Sequence, residues 1–151
     1  MKRRSLFLIL GLLLLSLLFV NIKVAQSSYF QAYLMYDFNE DSYIVPYESF
    51  DTELDDDFPN LTNTVLPIKF LKARYLVKND SLAAAKKLLY KASKDNPYIM
   101  GAEEMLASIF LKQENLDSAY FYSKKAFYNM PNVNPHRYTF FRVLQEMEKR
   151  D

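Results

Sequence analysis

Apolar positions recur along this chain in two different rhythms. After MKRR, the run SLFLILGLLLLSLLFV carries no charge from Ser5 to Asn21. With Asn21 and Ile22 it reaches the ~17–25 residues that a bilayer-spanning helix needs, and Lys23 can snorkel at the far interface. From Leu66 onward the rhythm is that of amphipathic helices. Met105, Leu106, Ile109 and Phe110 form an i, i+1, i+4, i+5 stripe. Leu116, Ala119, Tyr120, Ala126 and Phe127 form a second one, helical rather than alternating. The polar breaks KNDS and ENLDS separate such stretches and offer Asp80, Ser81, Asp117 or Ser118 as caps for the helix that follows. DNP and NMPN end it, because proline lacks an amide donor and clashes with the preceding turn. The chain is therefore predicted to be all-α.

The second rhythm repeats. Leu82, Ala85, Ala92 and Pro97 are each matched 34 residues later by Leu116, Ala119, Ala126 and Pro131. Two copies of the unit occupy residues 66–99 and 100–133, and a partial third copy occupies 134–151. The alanines have a physical reason: antiparallel helices approach closely only where side chains are small. Ala73 and Ala107 serve the first helix of each unit, and Ala85, Ala92, Ala119 and Ala126 the second.

This pattern resembles the tetratricopeptide repeat (TPR), a 34-residue helix–turn–helix with small, aromatic and proline positions. The departures are specific. Lys69 and Glu103 stand where a tryptophan is common, and Phe141 takes the small-residue place in the third copy. The resemblance implies an N-terminal transmembrane helix followed by a short TPR-like α-solenoid of antiparallel helix pairs. Residues 26–65 form an acidic segment in which Leu34, Phe38 and Pro59 fall in repeat-like register. Pro46 would sit in the first turn of a second helix there, making a degenerate capping repeat.

Charge is distributed in blocks. Residues 1–25, the expected anchor, hold Lys2, Arg3, Arg4 and Lys23 and no acid; residues 26–65 hold nine acids and no Lys or Arg. The remaining residues carry a net charge of about +6. The basic cap places the N-terminus in the cytoplasm and the rest of the chain beyond the membrane, which in a double-membrane bacterium is the periplasm. The expected location is a bacterial inner membrane crossed once, with contact through residues 5–25. A cleaved signal peptide is the rival reading. It fits less well, since the apolar run exceeds the usual length and Ala25-Gln26-Ser27 is a poor cleavage site.

Composition removes many chemistries. With no cysteine there is no disulfide, thiol nucleophile, cysteine-bound zinc or lipoprotein signal. Two glycines, Gly11 and Gly101, cannot form a phosphate-cradling loop, and His136 is the only imidazole. His136 follows Pro135 at a helix start and reads as a surface or capping residue. Glu53, Asp55, Asp56 and Asp57 lack the spacing and turn glycine of a calcium loop and read as a solvated face. Glu103 and Glu104 are adjacent and diverge by about 100° on a helix, too far for paired acid–base work. No metal or cofactor is expected, no enzymatic activity, and no nucleic-acid partner.

What remains is a binding wall. In TPR proteins the concave surface is lined by the first helices, and the matching positions here are Phe70, Arg74, Lys78, Glu104, Ser108, Lys112, Tyr138 and Arg142. Four of these are basic, which suits an acidic protein or peptide partner or the chain's own stretch 37–57. Arg74 and Ser108 stand where chaperone-binding members use asparagine, so that carboxylate clamp is not reproduced. The expected function is a membrane-anchored scaffold or adaptor. The alternative is the repeat-bearing part of an envelope polysaccharide polymerase or ligase system, whose tail DDDFPNLTNTVLPIKFLKARYLVKNDS resembles and whose catalytic part lies elsewhere.

Overall fold

The computed structural model describes residues 2–150, with the side chains of Lys2, Phe50 and Glu53 excepted. Lys2 of the basic cap, Glu53 of the acidic stretch and Asp151 of the third copy therefore lie outside the described side chains. Seven helices and no strands are present among the described residues. The chain divides into two compact units, one up to Asp55 and one from Asp56 onward.

The first unit is built on α1, Lys2–Asn39. Its most apolar 18-residue stretch has a mean hydropathy of 2.6 and buries nothing, so it is long and apolar enough to cross a membrane. At 1.5 Å per residue α1 measures about 57 Å, roughly twice the hydrocarbon thickness of a bilayer. It passes straight through residues 26–39, where a separate helix of a degenerate repeat was expected. Nothing stops it earlier, because no glycine or proline occurs between Gly11 and Pro46. Asp37 ends it: its carboxylate accepts from Ser42 Oγ at 2.8 Å and from the amides of Ile44 and Val45 at 3.0 and 3.3 Å. A single short helix follows, α2 (Tyr47–Glu53), entered just after Pro46.

The second unit holds α3 (Ile68–Lys78), α4 (Leu82–Asp95), α5 (Gly101–Lys112), α6 (Leu116–Asn129) and α7 (Asn134–Glu148). α3 packs on α4, α5 on α6, and α7 lies on α6 and α5. The 34-residue spacing seen in the side chains recurs in the backbone. Asp80 and Glu114 both take the left-handed conformation, with φ of 57° and 56°. Around them the amides of Asp80 and Ser81 donate to Val77 and Leu76, and those of Glu114 and Asn115 to Leu111 and Phe110. One αL residue thus closes each leading helix and turns the chain into the next. The expected caps are shifted by this turn. Asn115, not Asp117 or Ser118, caps α6, accepting from the Ser118 amide at 3.1 Å. Ser81 occupies the equivalent place before α4 without a side-chain bond.

All six alanines at the expected contact points are fully buried: Ala73, Ala85, Ala92, Ala107, Ala119 and Ala126. Leu71, Leu89, Leu106, Ile109 and Val143 fill the space around them. Gly101 permits one further close approach. A Cβ there would lie 3.1 Å from the Phe70 ring, so the start of α5 can sit against α3 only because the side chain is missing.

Candidate functional site

The leading helices carry charge into the interior. Lys69 is buried, and its ammonium lies 2.9 Å from Asp95 of α4 and 3.0 Å from Asp57, and donates at 2.6 Å to the carbonyl of Asp56. Burial pulls its pKa down, but the bonds to Asp95 and Asp57 outweigh that and hold it above the ordinary lysine value. Lys72, also buried, lies 3.7 Å from the Asp56 carboxylate. Asp56 and Asp57 are therefore not merely a solvated acidic face. They help neutralise two interior cations.

Glu103 stands 34 residues after Lys69 with the opposite sign. It is buried and accepts from Ser93 Oγ at 2.5 Å and from Lys125 Nζ of α6 at 2.9 Å. Its second oxygen has no bonding partner. Its neighbour Glu104 points to different groups, Ser108 Oγ at 3.1 Å and Thr139 Oγ1 of α7 at 2.6 Å. Burial raises the Glu104 pKa, and the two hydroxyl bonds counter it. The two carboxylates diverge, and their partners are structural hydroxyls and an amine.

His136 is buried, where a surface or capping position was expected. Burial lowers its pKa, while the Met130 carbonyl and the charge of Glu103 pull the other way; its Nδ1 has no partner. The first turn of α7 lies against α6, so a residue just after Pro135 points inward rather than to water.

The eight predicted wall residues do not share one environment. Phe70 and Arg74 are buried, Glu104 and Ser108 are half-buried and bonded to each other, and Lys78, Lys112, Tyr138 and Arg142 are exposed. Lys112 lies 2.6 Å from the Asp80 carboxylate. With Arg74 interior and Lys112 paired, the basic lean is weaker than the sequence implied. A groove absent from that set runs along α7, lined by Asn134, Arg137, Tyr138, Phe141, Arg142 and Gln145. The one signal for it in the sequence is Phe141 at a position that is alanine in the other two copies. An apolar pocket in the first unit is lined by Ala32, Tyr33, Tyr36, Asp37, Ile44 and Val45, and the bonds of Asp37 hold its wall in place.

Among the described residues no group of three His, Asp or Glu side chains is placed to hold a metal ion. Compared with protein-family models, curated proteins and solved structures, the chain matches none of them.

Proposed function

We infer that this chain is a membrane-anchored adaptor whose TPR-like helix pairs bind a protein partner outside the cytoplasm. The observation that carries this reading is the recurrence of one αL turn, with its hydrogen bonds, at Asp80 and Glu114. Stacked copies of a helix–turn–helix expose successive leading helices on one side, and such a surface serves binding rather than catalysis. The buried charges favour the same reading, because Lys69 and Glu103 are used up in pairs within the fold. The anchor is the apolar half of α1, and the basic residues before it set the N-terminus on the cytoplasmic side.

The test uses photo-crosslinking side chains placed at Lys78 and Lys112 on the exposed part of the wall, with Tyr98, 82% exposed, as the control position. In intact cells the wall positions should give a discrete adduct with one partner that Tyr98 does not give. Equal labelling from all three positions would remove the case for a binding wall.

A further inference from the structure

The outward face of α7 carries positions that are covered in both preceding copies. On α3 the equivalent residues Lys69, Phe70, Ala73 and Arg74 are buried. On α5 Glu103 and Ala107 are buried, and Glu104 and Ser108 half-buried. On α7 the same register falls on Arg137, Tyr138, Phe141 and Arg142, and all four are exposed. Each earlier leading helix is packed by the helix that follows it, α4 on α3 and α6 on α5. No described helix does this for α7.

The two covered copies also show what kind of helix the face takes. At one register position the leading helix holds a charge, and the covering helix holds its opposite: Lys69 meets Asp95 of α4, and Glu103 meets Lys125 of α6. α7 keeps a charge at that position, Arg137, whose guanidinium reaches only across its own helix to the neutral Asn134 Oδ1 at 2.8 Å. Arg142 lies beside it in the same groove. Two guanidiniums flanking aromatic rings match carboxylates on an amphipathic helix, since arginine pairs with carboxylate through two parallel bonds and also stacks on rings. Phe141 sets the spacing. One edge of its ring rests on Phe127 at 5.9 Å and the rest is open, so a covering helix must ride over the ring instead of closing on an alanine.

We propose that the exposed face of α7 binds an acidic amphipathic helix of a partner protein, in the place that α4 and α6 take on the first two leading helices. This rests on reading the three stretches as copies of one unit, and it does not depend on the concave wall of the previous subsection.

The experiment uses the full chain in neutral detergent micelles and three labelled synthetic peptides read by fluorescence anisotropy. One is a 16-residue helix with glutamates along one edge and leucine and alanine along the other. The second has lysine for each glutamate, and the third is the acidic peptide scrambled out of helical register. Binding is expected for the first alone. Arg137→Glu with Arg142→Glu should weaken it by about tenfold or more, the scale of losing close charge pairs, with unchanged helical circular dichroism. Equal binding of the scrambled peptide overturns the proposal, as does full binding by the double variant. If Lys78→Glu with Lys112→Glu abolishes binding while the α7 variant retains it, the wall reading stands and this one falls. If sedimentation shows a dimer that the α7 variant dissociates, and no peptide binds, a second copy covers the face and the acidic-partner proposal is wrong.

Discussion

A buried histidine with one unpartnered nitrogen makes stability depend on pH at a single residue. His136 is neutral in the folded chain because burial holds its pKa below the ordinary 6.5. The unfolded chain binds that proton more readily, so the stabilisation is complete above about pH 6.5 and is lost as pH falls through the folded value. The groups facing it include Glu103 and the Met130 carbonyl, both of which favour the proton and so narrow the window without reversing it. Glu104 works in the opposite sense. Its raised pKa means that stability falls as pH climbs through the range just above 4.5. Urea unfolding between pH 7.5 and 5.5 should therefore show a falling midpoint that flattens in His136→Gln. An undiminished slope in that variant would assign the acid sensitivity to another group. Lys69 and Glu103 make a related point about reading sequences. A charge inside a helical pattern reads as exposed, yet both are interior because a partner of opposite sign, Asp95 or Lys125, stands on the adjoining helix. Partners supplied by another segment leave no local signature.

At the scale of elements, two turns that share one backbone differ in a single contact. Asn115 accepts from the Ser118 amide, whereas Ser81, 34 residues earlier, makes no such bond. Asn115→Ala should therefore destabilise the chain by about 1 kcal/mol, the usual worth of an N-cap, and Ser81→Ala by far less. Chemical denaturation of the two variants measures this difference, and equal losses would mean that the side-chain bond is not what stabilises the α6 entry. The helices from α3 to α7 were legible because proline and polar breaks punctuate them at fixed intervals and because alanine marks each close contact. The turn itself was not legible. Asp80 and Glu114 are left-handed without being glycine or asparagine, and that shift moved the cap from Asp117 or Ser118 to Asn115. The length of α1 was hidden for the converse reason: residues 26–39 contain no breaker, and composition alone does not separate a membrane helix from its continuation. Of the candidate wall, the residues could be named from register but not their exposure. Phe70 and Arg74 are interior, and the groove beside Phe141 shows only once the neighbouring helix is seen to be missing from that face.

In the second unit each helix packs chiefly on its neighbours in sequence, with only α3–α5 and α5–α7 reaching further. Such a chain of neighbours holds together as the sum of local interfaces, so protection against opening depends on how many sides of an element are covered. α5 touches α3, α4, α6 and α7 and carries the fully buried Leu106 and Ala107. α7 is covered on one side, through Thr139, Phe140 and Val143, with Phe140 stacked 5.0 Å from Phe127. Its other side, with Tyr138 and Phe141, meets no described residue closely enough to be buried. Amide hydrogen exchange of the full chain in detergent should therefore be slowest in α5 and fastest, among the helices of this unit, at the C-terminal turns of α7. Addition of the acidic peptide should slow exchange in α7 before it changes α3 or α4. If α7 is already as protected as α5 in the peptide-free protein, its outer face is covered by something other than an added helix. A gradient of protection that runs down from α5 in both directions is what stacking by nearest neighbours requires, because each end helix lacks one of the two interfaces that hold the middle.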